Sequence, residues 1–391
     1  MTTAIDQPYG NDLATMAERI SGVIDAFFVD ADGFVLACIN AETNKPFVDD
    51  DWQIRDLEAH DTWYARGSFP YALKRTAMNY EDSDMTTGEL LMAYLARARA
   101  VPNSEHRDAV ECLAGVMIGI NETIAAQNPM GAGFLPKTHG GVPHVHECFE
   151  TSADQYLKWA VALEAYSVFT AEPDRRIRAE QILFDMAAWL DAHDFCTPYM
   201  GDINYARLNH LRHYHLAFAY LCALGHRLGG SKHLLEEVIY FKNHAATASN
   251  RSPSPNSQNL VAEALSRLLD LAPQHSEDWL ALMRDDWEAR HAFVTPDLQV
   301  RFSDHYWNHT ARFAINYWVV RKHVPAVDGT VDVENILLAH DGKAAFLQLV
   351  AGQERTGLFA SDHYPRYDTY VSGMSYANWL RLYWETRGAG V

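Results

Sequence analysis

The stretch YEDSDMTTGELLMAYLARARA (residues 80–100) decides how the chain is read. A polar turn carrying Glu81, Asp82 and Asp84 runs straight into an unbroken apolar helical run. Thr86-Thr87-Gly88-Glu89 has the spacing of a capping box, so a helix is predicted over roughly 86–100. Five further clusters rich in Asp, Glu, His, Asn and Tyr repeat the arrangement: HVHECFETSADQY (144–156), GDINYARLNH (201–210), PSPNSQN (253–259), FSDHYWNHT (302–310) and SDHYPRYDTYVSG (361–373). Each feeds an apolar helical run, whereas the helices between them open on less aromatic turns. This alternation is expected if every second helix points its N-terminus into one shared cavity, the geometry of a toroid of helical hairpins.

Periodicity predicts about twelve helices, at roughly 11–29, 86–100, 105–127, 152–170, 174–193, 205–229, 231–247, 257–271, 276–290, 305–322, 333–352 and 368–386. Ser152 or Asp154 can cap QYLKWAVALEAY, and Gly229-Gly230 stop LAFAYLCALGHRL before Ser231 opens the next helix. Residues 30–80 are mixed: FVLACI (34–39) reads as a short strand or a buried turn, and FPYALKRTAMNY (69–80) as room for one more short helix. The loop NRSPSPNSQN (250–259) is short and reads as a connection between hairpins. Twelve helices on short loops make six hairpins, and the polar clusters recur roughly every 50–70 residues. The expected fold is therefore all-α, an (α/α)6 toroid formed by residues 1–391 as a single domain. An irregular helical bundle is the alternative.

Composition narrows the function classes. With 51 acidic against 32 basic residues, the formal net charge of −19 argues against nucleic acid, whose phosphates need clustered Lys and Arg. It also argues against an anionic membrane. No signal peptide and no apolar run of membrane-spanning length is visible, so a cytoplasmic location is expected. The five cysteines show no CxxC spacing and read as reduced, buried small hydrophobes. No GxGxxG, Walker or GxSxG pattern occurs, which removes the usual nucleotide and α/β-hydrolase readings. Aspartates 49–51 are similar to an acidic motif of terpene cyclases, but no second such motif follows.

YEDSDMTTGELLMAYLARARA and GFLPKTHGGVPHVHECFETSADQYLKWAVALEAYSVF (133–169) resemble segments of the six-hairpin, (α/α)6-toroid superfamily of carbohydrate-active enzymes. That group includes unsaturated glucuronyl and rhamnogalacturonyl hydrolases, other glycosidases, polysaccharide lyases and sugar 2-epimerases. The resemblance is architectural, spans about residues 11–386, and identifies no subfamily. The Trp-x-Arg-Gly-Gln signature of the unsaturated-uronyl hydrolases has no match here. In those hydrolases an Asp at the start of an early inner helix acts in catalysis, and a second follows one hairpin later. Asp82 or Asp84, and then Asp154, occupy similar places. Glycoside hydrolysis needs an acid and a base flanking the bond, one of them kept protonated by burial or a like charge. The competing reading for each aspartate is a plain helix cap.

Two further groups carry candidate chemistry. The loop 133–150 brings Lys137, His139, His144, His146, Glu147 and Glu150 together, with Gly140-Gly141 permitting a tight turn. His144 and His146 in extended chain project to one side. With Glu147 they offer a divalent-metal site, although contacts to substrate hydroxyls or a carboxylate are the preferred reading. Lys137 suits a substrate carboxylate, and Gln155 joins the substrate-binding set. The His/Tyr group comprises Asn209, His210, Arg212, Tyr214 and His215, then His305, Tyr306, Trp307, Asn308 and His309, and finally His363, Tyr364, Arg366 and Tyr367. β-Elimination from a uronate needs a neutralised carboxylate, a base and an acid, and His210, Tyr214, His305 and Tyr306 could supply the last two. If 205–229 is helical, His210 and Tyr214 share a face and Arg212 does not. Trp159, Trp307, Tyr306, Tyr364 and Trp379 are candidates to stack on sugar rings; aromatics at helical spacing are otherwise core.

The expected activity is hydrolysis of a short, uronate-containing oligosaccharide by paired carboxylates, with no cofactor. Elimination by the His/Tyr group, sugar epimerisation and non-catalytic glycan binding are the alternatives, because fold alone does not choose among them. The sequence sets no oligomeric state.

Overall fold

A computed structural model describes residues 12–40, 43, 45–46, 79–199, 202–248, 255–291, 300–302, 305–307, 310–339 and 370–388. Among them are twelve α-helices: α1 Leu13–Phe27, α2 Ser83–Ala100, α3 Ser104–Gln127, α4 Ala153–Phe169, α5 Pro173–Ala192, α6 Arg212–Arg227, α7 His233–Thr247, α8 Pro255–Leu271, α9 Ser276–His291, α10 Thr310–Arg321, α11 Val333–Ala339 and α12 Gly373–Gly388. Three small antiparallel pairs complete the description: β1 (Cys38–Asn40) with β6 (Tyr370–Ser372), β2 (Cys196–Tyr199) with β3 (Asp202–Tyr205), and β4 (Val300–Phe302) with β5 (His305–Trp307). The chain is all-α in class.

Burial separates the helices into two alternating kinds. α1 buries Leu13, Met16, Ala17, Ile20, Val23 and Ile24, and α7 buries Leu234, Val238, Phe241 and Ala245, in each case one stripe at helical period. α3 and α5 are one-sided in the same way. By contrast α2 is buried without interruption from Ser83 to Ala93, α4 from Gln155 to Ser167, α6 from His215 to Gly225 and α12 from Gly373 to Tyr383. A helix covered on every side has neighbours on every side. Here α2 packs on α4, α4 on α6, α6 on α8, α8 on α10, α10 on α12, and α12 on α2. The one-sided helices lie outside these: α3 on α2, α5 on α4 and α6, α7 on α6, α9 on α8, α11 on α10, and α1 on α12.

Local chemistry sets where the inner helices begin. α2 starts three residues before the expected capping box. Ser83 Oγ donates to the Asn79 carbonyl and accepts from Ala37 N–H, while the Asp82 carbonyl takes both Thr86 N–H and Thr86 Oγ. Thr86 to Glu89 are therefore buried inside the helix, and Glu89 reaches neighbouring helices instead of closing a cap. Ser152 stands at the N-cap of α4, but its hydroxyl donates to Asp154 and caps no backbone N–H. α6 and α10 start at Arg212 and Thr310, later than the periodicity implies. The residues before them take other forms: Asp202–Tyr205 is β3, Ala206–Leu208 a 3-10 turn and His305–Trp307 the strand β5. His210 is consequently not on the helix that carries Tyr214. FVLACI ends in β1, and FPYALKRTAMNY lies mostly outside the described residues.

An ionic layer crosses the inner helices about two turns below their N-termini. Lys158 Nζ of α4 lies 2.8 Å from Glu89 of α2 and 2.8 Å from Glu263 of α8. Arg381 of α12 lies 3.0 Å from Glu89, also pairs with Glu263, and is 2.8 Å from Glu385. Lys322 reaches Glu385 at 3.1 Å, so three cations face three carboxylates. Burial alone would raise the Glu263 carboxyl, but Arg381 and Lys158 outweigh it and bring it down to about 2. Close approach of α2 and α4 makes the layer possible: a Cβ on Gly88 would sit 2.7 Å from the Lys158 carbonyl oxygen.

Two composition readings change. α3 is long and apolar enough to cross a membrane by length and composition. Its Glu111 and Glu122 nevertheless pair with Arg175 and Arg178 of α5, and its apolar stripe faces α2. Of the cysteines, Cys38, Cys148 and Cys222 are buried as expected, but Cys112 is exposed and Cys196 half-exposed, and none of the five is joined in a disulfide.

Candidate active site

The polar turn before α2 meets the loop 133–151 and the β2–β3 hairpin at the N-terminal ends of the inner helices. Backbone links build this junction. Tyr156 of α4 donates to the Gly133 carbonyl at 3.0 Å and accepts from Leu135 N–H at 3.1 Å, fixing the strand of loop that carries Lys137. Lys137 N–H donates to Glu150 O, and Thr151 N–H to Pro198 O, which draws Tyr199 alongside. Gly140 and Gly141 turn the loop at φ of 86° and 87°, and a Cβ on Gly141 would meet the Tyr80 hydroxyl at 3.0 Å.

Glu81 is the hub. Its carboxylate accepts from Lys137 Nζ and from the Tyr199 hydroxyl at 3.1 Å, and lies 2.9 Å from His139 Nε2. Lys137 Nζ also sits 4.6 Å from the centre of the Tyr199 ring. Burial by itself would raise the Glu81 carboxyl; the Lys137 charge and the His139 contact overcome it and hold Glu81 well below the usual carboxylate range. Burial opposes the Lys137 charge as well, and Glu81, Asp82 and Asp154 together push it firmly above its ordinary value. This pair stays ionised.

Beside it sit carboxyls with the opposite tendency. Gln155, in the first turn of α4, donates to Asp82 Oδ1 at 3.2 Å and to the Glu81 carbonyl at 3.3 Å, and accepts from Met85 N–H. This amide ties the start of α4 to the start of α2, next to Asp154. Asp82 is raised to about 6, foremost by burial, with Glu81 and Asp154 adding repulsion against the pull of Lys137 and Arg312. Asp84 is fully buried, neither of its oxygens has a hydrogen-bond partner among the described residues, and burial drives its carboxyl well above the normal value. Asp154 is half-buried, accepts from Ser152, and acts electrostatically on Asp82, Asp84, Lys137 and Tyr214. The Tyr214 phenol, in α6, is pushed up by burial and by Asp154. Thus α2, α4 and α6 all send ionisable groups to one place, with Arg312 of α10 within electrostatic range.

Unpartnered amides continue the site inward. Asn259 lies one turn ahead of Glu263 on α8, and Asn378 one turn ahead of Arg381 on α12, the relation Gln155 bears to Lys158. Both asparagines are essentially inaccessible, and neither the oxygen nor the nitrogen of either side chain finds a partner among the described residues. Buried polar atoms left this way cost about 1–3 kcal/mol each unless polar solute or water groups complete them.

The other expected site residues divide. Asp82, Asp84, Lys137, Asp154, Gln155 and Tyr214 come together as described. Glu150 is buried in the loop under Lys137. His144 and His146 are not extended: they lie in a 3-10 turn, Val142–Glu147, anchored by Asn128 Nδ2 donating to the Val145 and Cys148 carbonyls. Their half-exposed rings are 6.5 Å apart, with Glu147 3.4 Å from His146 Nε2. Among the described residues no group of three or more His, Cys, Asp or Glu is arranged to hold a metal. Asn209 spends its side chain on Leu211 N–H and its carbonyl on His215, and His210 is exposed. Arg212 turns to Asp285 and the Ala245 carbonyl. The backbones of His305, Tyr306 and Trp307 form β5. His309, His363, Tyr364 and Arg366 lie outside the described residues, as do Asn308, Tyr367 and the aspartates 49–51. Trp159 and Trp379 are fully buried wall residues, the latter bonded to the Leu337 carbonyl, so neither offers a face to a sugar.

The assembled site also contains Glu81, His139, Tyr199 and Arg312. Only Glu81 and His139 carried a local signal, through the acidic turn and the Gly-Gly loop. Compared with known proteins, the chain matches no family model, no curated protein and no solved structure.

Proposed function

We propose that the chain is an (α/α)6 toroid whose N-terminal mouth hydrolyses a glycosidic bond in a short oligosaccharide bearing a uronic acid or a similarly polar sugar. The cyclic order of contacts among α2, α4, α6, α8, α10 and α12, with the other six helices packed against them, supports the toroid. The observation that carries the chemistry is the pairing of Asp82, whose carboxyl is raised by burial to about 6, with Asp154 on the neighbouring helix. Acid/base glycosidases need two carboxyls flanking the bond, one of them raised by its surroundings so that it can carry a proton. Asp82 is the proposed proton donor to the leaving oxygen, and Asp154 the proposed base or nucleophile on the other side of the bond. Lys137 is the proposed counter-charge for the substrate's carboxylate.

Elimination is the second reading, favoured by Tyr214 beside Asp154. Its phenol is pushed up, which suits proton donation and not proton abstraction, so hydrolysis ranks first. The test is incubation with saturated and unsaturated uronate oligosaccharides. Release of reducing ends without new ultraviolet absorbance supports hydrolysis. Appearance of a conjugated uronate overturns it in favour of a lyase. Binding without any turnover makes the chain a glycan-binding toroid.

A further inference from the structure

The opposite ends of the inner helices enclose a second cleft that the proposed activity does not use. Its volume is about 340 Å³, and it is lined from the C-terminal halves of α2, α8 and α12 and from the end of α10. The ionic layer of Glu263 and Arg381 forms its floor, so that layer stands between it and the acidic mouth.

Charge distinguishes the cleft from the rest of this acidic chain. Arg99, Arg267, Lys322 and Arg381 line it against two carboxylates, Glu263 and Glu385. Arg381 is consumed by Glu89, Glu263 and Glu385, and Lys322 shares Glu385. Among the described residues Arg267 has only a long contact, 3.8 Å, with Glu164. Arg99 is exposed to solvent and makes no ion pair or hydrogen bond among the described residues. Partial burial, then the charges of Arg267 and Arg381, bring Arg99 below its ordinary value. Cations at helix C-termini ordinarily serve the macrodipole. That role does not account for guanidinium groups from separate helices turned toward one concave space, where they repel each other.

We propose that this cleft binds a small oxyanion, a phosphate or carboxylate group, between Arg99, Arg267 and Lys322. Guanidinium forks match both groups in planar, two-point fashion, and the volume accommodates a phosphate ester or a small di-acid. This site does not depend on the chemistry proposed for the other end.

The experiment uses the full chain and two probes, inorganic phosphate and malonate, with sodium chloride at matched ionic strength as reference. Calorimetric titration and thermal midpoints are read together. The expected result is saturable binding of at least one probe, with a midpoint rise that chloride does not reproduce. Arg99→Gln and Arg267→Gln should each weaken the binding by about tenfold or more. Arg99 is exposed and unpaired, so its variant should fold; Lys322→Gln provides a second variant. Arg178→Gln on the outer wall and Asp82→Asn at the acidic mouth should leave the affinity unchanged. Midpoint shifts equal to those in chloride, undiminished binding in the Arg99→Gln/Arg267→Gln double variant, or loss of binding in Asp82→Asn would each overturn the assignment.

Discussion

Replacing Asp82 by Asn should make the protein more stable and less active at once. The Asp82 carboxyl rises from 3.8 to about 6 on folding, with burial the largest cause. At about 1.36 kcal/mol per unit, ionising it in the native state costs about 3 kcal/mol. The sign follows from the direction. A raised carboxyl contributes stability that is complete below pH 3.8 and disappears as the pH climbs through about 6. Asn is a neutral isostere that can still accept from Gln155, so it mimics the protonated acid at every pH. Urea unfolding of wild type and variant between pH 4 and 8 should show nearly equal stability at the acid end. The variant's advantage should grow with pH and level off above the midpoint at up to about 3 kcal/mol. Turnover should fall by roughly 10²–10⁴, since an amide cannot deliver a proton. A residue whose removal stabilises the fold and ends catalysis is held there for the reaction. A variant destabilised equally at all pH values, or one that keeps wild-type turnover, would refute the reasoning.

Glu81→Gln should do the reverse, costing about 3–5 kcal/mol at neutral pH because Lys137 is left buried without its counter-charge. Wild-type Glu81 contributes stability that is present above pH 4.5 and lost as the pH falls, so acid denaturation should be shallower in the variant. Gly88→Ala should lose about 1–3 kcal/mol by forcing α2 away from the Lys158 carbonyl, seen as a lower urea midpoint with an unchanged slope. The double substitution His144→Ala/His146→Ala should shift stability by no more than about 0.5 kcal/mol, because both rings are half-exposed, while reducing turnover. Unaltered kinetics would remove that turn from the substrate path.

What the sequence could reveal follows from the range of the forces involved. Helix positions depend on near neighbours, and α3, α5 and α9 lie within a residue or two of their expected limits. α6 and α10 start later than periodicity implies because aromatic, polar segments satisfy a helical pattern and an extended one equally well over a few residues. At the site, Asp82, Lys137, Asp154 and Gln155 were visible as polar residues where apolar periodicity begins. Tyr199 was not: it meets Glu81 across more than a hundred residues, through a hairpin whose docking depends on the Thr151–Pro198 backbone bond. Nor could the spacing of Arg312 show that α10 points toward Asp82. The environments of Asp82 and Glu81 diverge because Glu81 touches Lys137 and His139 directly, whereas Asp82 feels Lys137 only at a distance and against two neighbouring carboxylates, a distinction made only by the assembled structure.

The ionic layer joining α2, α4, α8 and α12 also constrains how this chain can change over time. Glu89, Lys158, Glu263 and Arg381 each neutralise charge on at least two other helices. Losing any one strands a buried charge, whereas exchanging the whole set for apolar residues of similar volume removes every desolvation cost together. The four positions are therefore strongly epistatic: single steps descend into a fitness valley, and the far side is reached only by concerted substitution. Descendants of this sequence should retain all four charges or none, a signature that can be read from any future set of relatives without solving another structure.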